Sequence, residues 1–211
     1  MLDEPKRAYL ENTIGGTKGH LLRRAFHISM IIFPFLYYWY GHQIAESTSN
    51  VINFLDTREN FVFMILIMII LLESIRLLLG IAIFGQREYE KKQVSALAWG
   101  AFSLCLCLLL APLGGYNGSY IGMPIILTLA LIDPLLGETR RHLDSNNLII
   151  LIALFACVII WLSCSFFLGT PYFLSILMPP LCVAAEWPSL KYIDDNATMV
   201  FAPLFVSLLI I

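Results

Sequence analysis

The loop Glu186-Trp187-Pro188-Ser189-Leu190-Lys191-Tyr192-Ile193-Asp194-Asp195-Asn196 gathers carboxylates, an amide and a lysine between two strongly apolar segments. Adjacent carboxylates repel each other, and they are costly to desolvate at a membrane edge unless a cation joins them. A connecting loop needs only turn residues, so Asp-Asp-Asn serves equally well as punctuation. The other polar groups weigh on that choice. Asp133 stands beside Pro134 in an otherwise apolar stretch, and Gly137, Glu138, Arg140 and Arg141 follow it. Arg24 and His27 open the first apolar stretch, while Glu73 and Arg76 lie one helical turn apart inside the second. Carboxylates hold Mg²⁺ through few direct bonds, the metal bridges phosphate oxygens, and guanidinium groups grip phosphates in a bidentate fashion. A set of carboxylates with several Arg and Lys therefore suits phosphoryl or nucleotidyl transfer. Basic residues alone would equally suit anionic lipid headgroups; the carboxylates argue for a metal.

Each member also has a plainer role open to it. Glu73 and Arg76 could pair to lower their own insertion cost. His27 could be a satisfied core histidine, and Arg140-Arg141 could simply mark the inner face of a membrane. Asp133 is harder to account for, because Pro134 already frees a backbone carbonyl at membrane depth.

The elements that must position these groups follow from composition. Hydrophobic residues make up 59% of the 211, charged residues 13%, and mean hydropathy is +0.79. That excludes an ordinary soluble domain and predicts an all-α, polytopic transmembrane helical bundle. Apolar segments fall near 25–40, 61–84, 94–113, 121–136, 148–168, 172–185 and 197–211, which predicts about seven transmembrane helices. The last is about 15 residues, shorter than a straight span requires. Residues 1–24 form a polar N-terminal segment with glycines at 15, 16 and 19 that should break any long helix, and 25–211 a single transmembrane domain. No cleaved signal peptide is expected. All five cysteines lie in apolar segments and read as small packing residues.

Orientation follows from the basic residues. With seven spans, Lys6, Arg7, Lys18, Arg23, Arg24, Arg87, Lys91, Lys92, Arg140, Arg141 and Lys191 share one face, and Arg58 alone takes the other. This predicts a cytoplasmic N-terminus and a polar constellation facing the cytosol. The setting is an integral, multi-pass membrane protein of a prokaryotic plasma membrane or a eukaryotic endoplasmic reticulum. No nucleic-acid partner is expected.

With these residues assembled, the chain resembles the polyprenol and phytol kinases, the dolichol-kinase-like integral membrane enzymes. The matching pieces are Arg24-Ala25-Phe26-His27, Glu73-Ser74-Ile75-Arg76 and Arg87-Glu88-Tyr89-Glu90. Asp133-Pro134 with Gly137, and Glu186-Trp187-Pro188 followed by Asp194-Asp195-Asn196, complete the set. They run over nearly the whole chain, and the last is the most specific. The resemblance implies transfer of the γ-phosphate of CTP to the hydroxyl of a long-chain isoprenoid alcohol such as dolichol or phytol. It places that transfer, with Mg²⁺, at the cytosolic leaflet. Asp133, Asp194 and Asp195 would hold the metal, with Asn196 supporting them, and Glu186 would orient or deprotonate the alcohol. Arg140, Arg141 and Lys191 would hold the nucleotide phosphates, with Arg24, His27, Glu73, Arg76 and Gly137 as further substrate contacts.

The chain departs from the family in one place. After the Asp-Pro element, members carry a longer glycine-rich stretch with Lys-Ser and a second Gly; here Glu138-Thr139-Arg140-Arg141-His142 follows directly. The basic-plus-aspartate signature of the cytidylyltransferases that make CDP-lipids is also missing, since Lys191 stands alone. Another membrane lipid phosphotransferase on the same scaffold, or a non-catalytic protein that binds lipid phosphate, remains open.

Overall fold

The computed structural model describes residues 13–188, 190 and 192–211. Among these the chain is helical, and its only bridge pairing is an isolated contact between Thr13 and Arg87. The helices are α1 (Gly16–Ser29), α2 (Ile32–Phe35), α3 (Gly41–Ser49), α4 (Arg58–Leu79), α5 (Ala96–Leu110), α6 (Gly122–His142), α7 (Asn146–Leu168), α8 (Tyr172–Ala184) and α9 (Asp195–Ile210). A π-helical turn over Leu36–Tyr40 joins α2 to α3.

Three helices, α4, α6 and α7, are long and apolar enough to cross a membrane. α5, α8 and α9 are apolar but shorter. Large apolar side chains face outward along them, including Leu78, Phe166, Ile176 and Leu209. Such surfaces would be untenable in water, so the chain has the character of a membrane protein.

α6 forms the centre of the bundle. Ile125, Ile126, Leu129, Ile132 and Leu136 on it are fully buried, and they meet Trp161 of α7, Leu174 and Met178 of α8, and Met199 of α9 in one core. The buried Thr128 hydroxyl donates to Pro124 O (2.7 Å) and accepts from Trp161 Nε1 (3.1 Å), which pairs the polar atoms at this point of the core. All five cysteines are buried free thiols, in keeping with a packing role.

Several boundaries differ from the apolar pattern. The first helical stretch begins at Gly16, not near residue 25, because the left-handed Gly15 starts a helix there instead of breaking one. It is then interrupted at Met30–Ile31, since Pro34 has no N–H to offer the Met30 carbonyl. α4 stops at Gly80 (φ 63°), so residues 81–84 leave the helix despite being apolar. α6 runs through Pro134 to His142, and residues 137–142 are therefore helical rather than a loop. Hydropathy falls there, but the backbone hydrogen bonding does not stop.

Candidate functional site

Three carboxylates converge where α6, the α8–α9 connection and α9 meet. Asp133, Glu186 and Asp195 each present an oxygen, and the three lie within 4.8 Å of one another. Asp133 is delivered by α6 just past its buried first half, one residue after the buried Ile132. Glu186 lies just past the end of α8, its backbone N–H donating to Val183 O. Asp195 is the first residue of α9. The Thr198 hydroxyl fixes their proximity by donating both to Ala185 O (2.6 Å) and to Asp195 O (2.9 Å). That hydroxyl ties the first turn of α9 to the end of α8. The fully buried Asn196 donates from Nδ2 to Ala96 O (3.1 Å), which docks the same turn on the start of α5.

Asp194 takes a different position from its neighbour. It is the N-cap of α9, and its Oδ1 accepts from the Asn196 backbone N–H (3.2 Å). Of the expected set Asp133, Asp194 and Asp195, the structure brings Asp133 and Asp195 together with Glu186, while Asp194 caps the turn. A cap was foreseeable from Asp-Asp-Asn before an apolar run. Which Asp would cap was not.

Basic groups surround the carboxylates unevenly. His27 of α1, buried, brings Nδ1 to 3.3 Å from Asp133 Oδ2. Arg140 Nη1 donates to Glu186 Oε1 (2.8 Å), and its guanidinium lies 5.0 Å over the Trp187 ring. Arg24 and Arg141 instead share Glu138, which also meets His142 Nε2 at 2.9 Å. Gly137 lies on the α6 face beside Arg24. Lys191 lies outside the described residues.

Glu186 Oε2 is buried and has no hydrogen-bond donor among the described residues. Burial, then the charges of Asp195 and Asp133, push the Glu186 carboxyl up to about 8 against the pull of Arg140. Burial and the adjacent Asp195 push Asp194 up to about 8 as well. Both carboxyls therefore tend to hold a proton at neutral pH, chiefly because burial penalises their charged forms.

Beside the triad is a polar pocket of about 240 Å³. Arg87, Tyr89, Trp99, Trp187 and Tyr192 line it together with Glu186, Asp194 and Asp195. Trp99 Nε1 donates to Tyr192 O (3.1 Å), closing one side. The aromatic lining was not anticipated; Trp187 and Tyr192 within the polar loop were the available signal.

Glu73 and Arg76 belong to another place. They form a bidentate pair at 2.8 Å. Arg76 also donates to the carbonyls of Ile81, Glu90 and Gln93 (2.7, 2.7 and 2.8 Å), and Glu73 accepts from Ser95 N (2.6 Å). The pair shapes the α4–α5 connection and lines a separate apolar cleft, not the triad's surroundings as the sequence suggested. No family model, no curated protein and no solved structure matches the chain.

Proposed function

We propose that the chain is a divalent-cation-dependent phosphotransferase that moves the γ-phosphate of CTP to the hydroxyl of a long-chain isoprenoid alcohol at the cytosolic face of a membrane. The observation that carries this reading is the convergence of Asp133, Glu186 and Asp195 from three separate elements, with Glu186 Oε2 buried and without a donor among the described residues. Hard oxygen donors with an unspent buried oxygen fit Mg²⁺, which needs only one or two carboxylates beside water and phosphate oxygens. When bound there, Mg²⁺ would neutralise charge on the transferring phosphoryl group.

Asp133 and Asp195 are assigned to the metal, and His27 positions Asp133. Glu186, whose carboxyl burial pushes up to about 8, accepts the proton of the alcohol. Arg140 exchanges Glu186 for a nucleotide phosphate, which leaves Glu186 free to act as that base. The aromatic pocket offers faces on which a nucleotide base can stack. Seven spans with a cytoplasmic N-terminus complete the proposal, with α5, α8 and α9 crossing as short, tilted or thin-membrane segments.

One observation favours a second reading, a protein that binds lipid phosphate without catalysis. Residues 137–142 are helical, no glycine-rich Lys-Ser loop follows Asp133-Pro134, and Arg141 is held by Glu138.

The test is transfer of label from radiolabelled CTP or ATP to a panel of dolichol, phytol and geranylgeraniol in the presence of Mg²⁺. The expected result is transfer from CTP, with Asp195→Asn lowering kcat by about 10²–10³-fold. Asp194→Asn, which keeps the cap, should retain most of the rate. If Asp195→Asn were as active as wild type, the assigned metal site would be wrong. If wild type labelled no alcohol and bound no nucleotide, the non-catalytic reading would stand.

A further inference from the structure

Two kinds of side chain meet in the polar pocket beside the triad. Tyr89, Trp99, Trp187 and Tyr192 supply aromatic rings, and Glu186, Asp194 and Asp195 supply carboxyl groups. Among the described lining residues the only cation is Arg87, and it donates to the Tyr89 hydroxyl. Tyr89, Trp187 and Tyr192 are exposed, so packing does not account for their gathering round the opening. A belt of Trp and Tyr is expected at a headgroup boundary, but it has no need of three carboxyl groups among its rings.

At Glu186 the pairing is incomplete. Its side chain is only 3% exposed. Oε1 accepts from Arg140, whose guanidinium also lies over the Trp187 ring. The fold thus already holds one cation between this carboxyl and an indole face. Oε2, equally buried, has no donor among the described residues. Asp195 stands within 4.8 Å of Glu186 and brings a further acceptor rather than a donor. A buried carboxyl oxygen in that state is costly unless a donor or a cation reaches it from the pocket.

Ligand classes separate on these walls. A metal ion uses the carboxylates and gains nothing from the rings. A nucleobase stacks on the rings, but it brings phosphates that the carboxylates repel unless a metal lies between them. An organic ammonium uses both, since ring faces attract its charge and carboxylates balance it. The volume of about 240 Å³ falls below the ~300–1,000 Å³ of pockets that take drug-sized molecules, which suits a cation of headgroup size.

We propose that this pocket binds a quaternary ammonium group of the choline type, its charge set between the carboxylates of Glu186 and Asp195 and the rings of Trp99, Trp187 and Tyr192. The inference goes beyond the phosphotransfer reading and needs neither nucleotide nor Mg²⁺, so either can fail without the other. Where a nucleotide also binds, the two compete for the same rings.

The experiment is calorimetric titration of the full-length protein in maltoside detergent with a metal chelator present. The titrants are choline, its uncharged isostere 3,3-dimethyl-1-butanol, and sodium chloride at matched ionic strength. Choline should bind at one site, about thirtyfold or more tighter than the isostere, the range of a desolvated cation–π contact. Glu186→Gln and Tyr192→Leu should each weaken choline by about tenfold, whereas Tyr192→Phe, which keeps the ring, should not. Tyr192 is exposed, so its substitution tests the site even where Glu186→Gln fails to fold. Nanodiscs of phosphatidylcholine and of phosphatidylglycerol separate the two sources of the group. Choline binding blocked only in phosphatidylcholine means that a bilayer headgroup fills the pocket, and binding in both means a ligand free in solution. Equal binding of choline and its isostere would overturn the proposal, as would a sodium chloride response matching that of choline, or an unchanged choline affinity in either folded Glu186→Gln or Tyr192→Leu.

Discussion

Glu186 and Asp194 are carboxyls whose protons the fold retains. The unfolded chain gives up the Glu186 proton near 4.5 and the folded chain near 8, so between those values the folded state binds the extra proton. Stability present in full below the lower value is lost as pH rises toward the upper one, and Asp194 acts in the same direction from 3.8. Metal-free protein in detergent should therefore unfold at a lower temperature at pH 8 than near pH 5. Glu186→Gln should remove part of that slope, leaving the share of Asp194. Mg²⁺ should raise the unfolding temperature more at the higher pH, because carboxylates bind metal only when deprotonated. Identical pH slopes for wild type and Glu186→Gln would show that burial of this carboxyl does not govern the cluster.

At the scale of elements, α6 supplies one glycine contact that is forced and another that is free. A Cβ at Gly122 would sit 2.0 Å from the buried Tyr38 hydroxyl, where the π-helical turn packs on the start of α6. Gly122→Ala should cost about 1–3 kcal/mol through overpacking. At Gly137 the nearest atom is Arg24 Nη2 at 3.7 Å, an ordinary contact, so Gly137→Ala should be neutral or stabilise by up to about 1 kcal/mol through helix propensity. Chemical unfolding of the two variants side by side separates these outcomes; equal losses would mean that α6 does not approach Tyr38 this closely. The α4–α5 connection depends on a different device. Arg76 is buried and holds three of its backbone carbonyls, so Arg76→Ala leaves those carbonyls and the half-buried Glu73 without their cation and should cost about 3–5 kcal/mol. Limited proteolysis should then cut within residues 81–95 before anywhere else in the described chain, and cleavage unchanged from wild type would dismiss the role.

For the whole molecule, membrane orientation is the property that would join the candidate site to the substrates proposed for it. The proposed topology puts Glu88, Ser145 and the triad on one face and Asn117 on the other. Single cysteines at Glu88 and Ser145 should react with an impermeant maleimide only from the cytosolic side, and one at Asn117 only from outside. The native thiols are buried and should give little background. Reaction of Glu88 and Ser145 variants from opposite sides would break the shared cytosolic site.

Apolar content alone determined that the chain is helical and belongs with membrane proteins, because seven apolar stretches leave no other way to satisfy a backbone in lipid. Asp133, Glu186 and Asp195 were also legible as unusual, since carboxylates bordering apolar stretches need a reason to be there. Only the tertiary structure decided which of them meet. Asp194 and Asp195 are neighbours in sequence and both accept from the Asn196 N–H, yet only Asp195 also comes close to Asp133 and Glu186. Glu73 and Arg76 looked like members of the same constellation but were claimed by the carbonyls of residues 81, 90 and 93 and the amide of Ser95. Hydropathy marks where polar groups occur along a chain. It carries no information on helix rotation, on caps, or on a hydrogen bond such as that from Thr198 to Ala185, and those contacts bring the three carboxylates together.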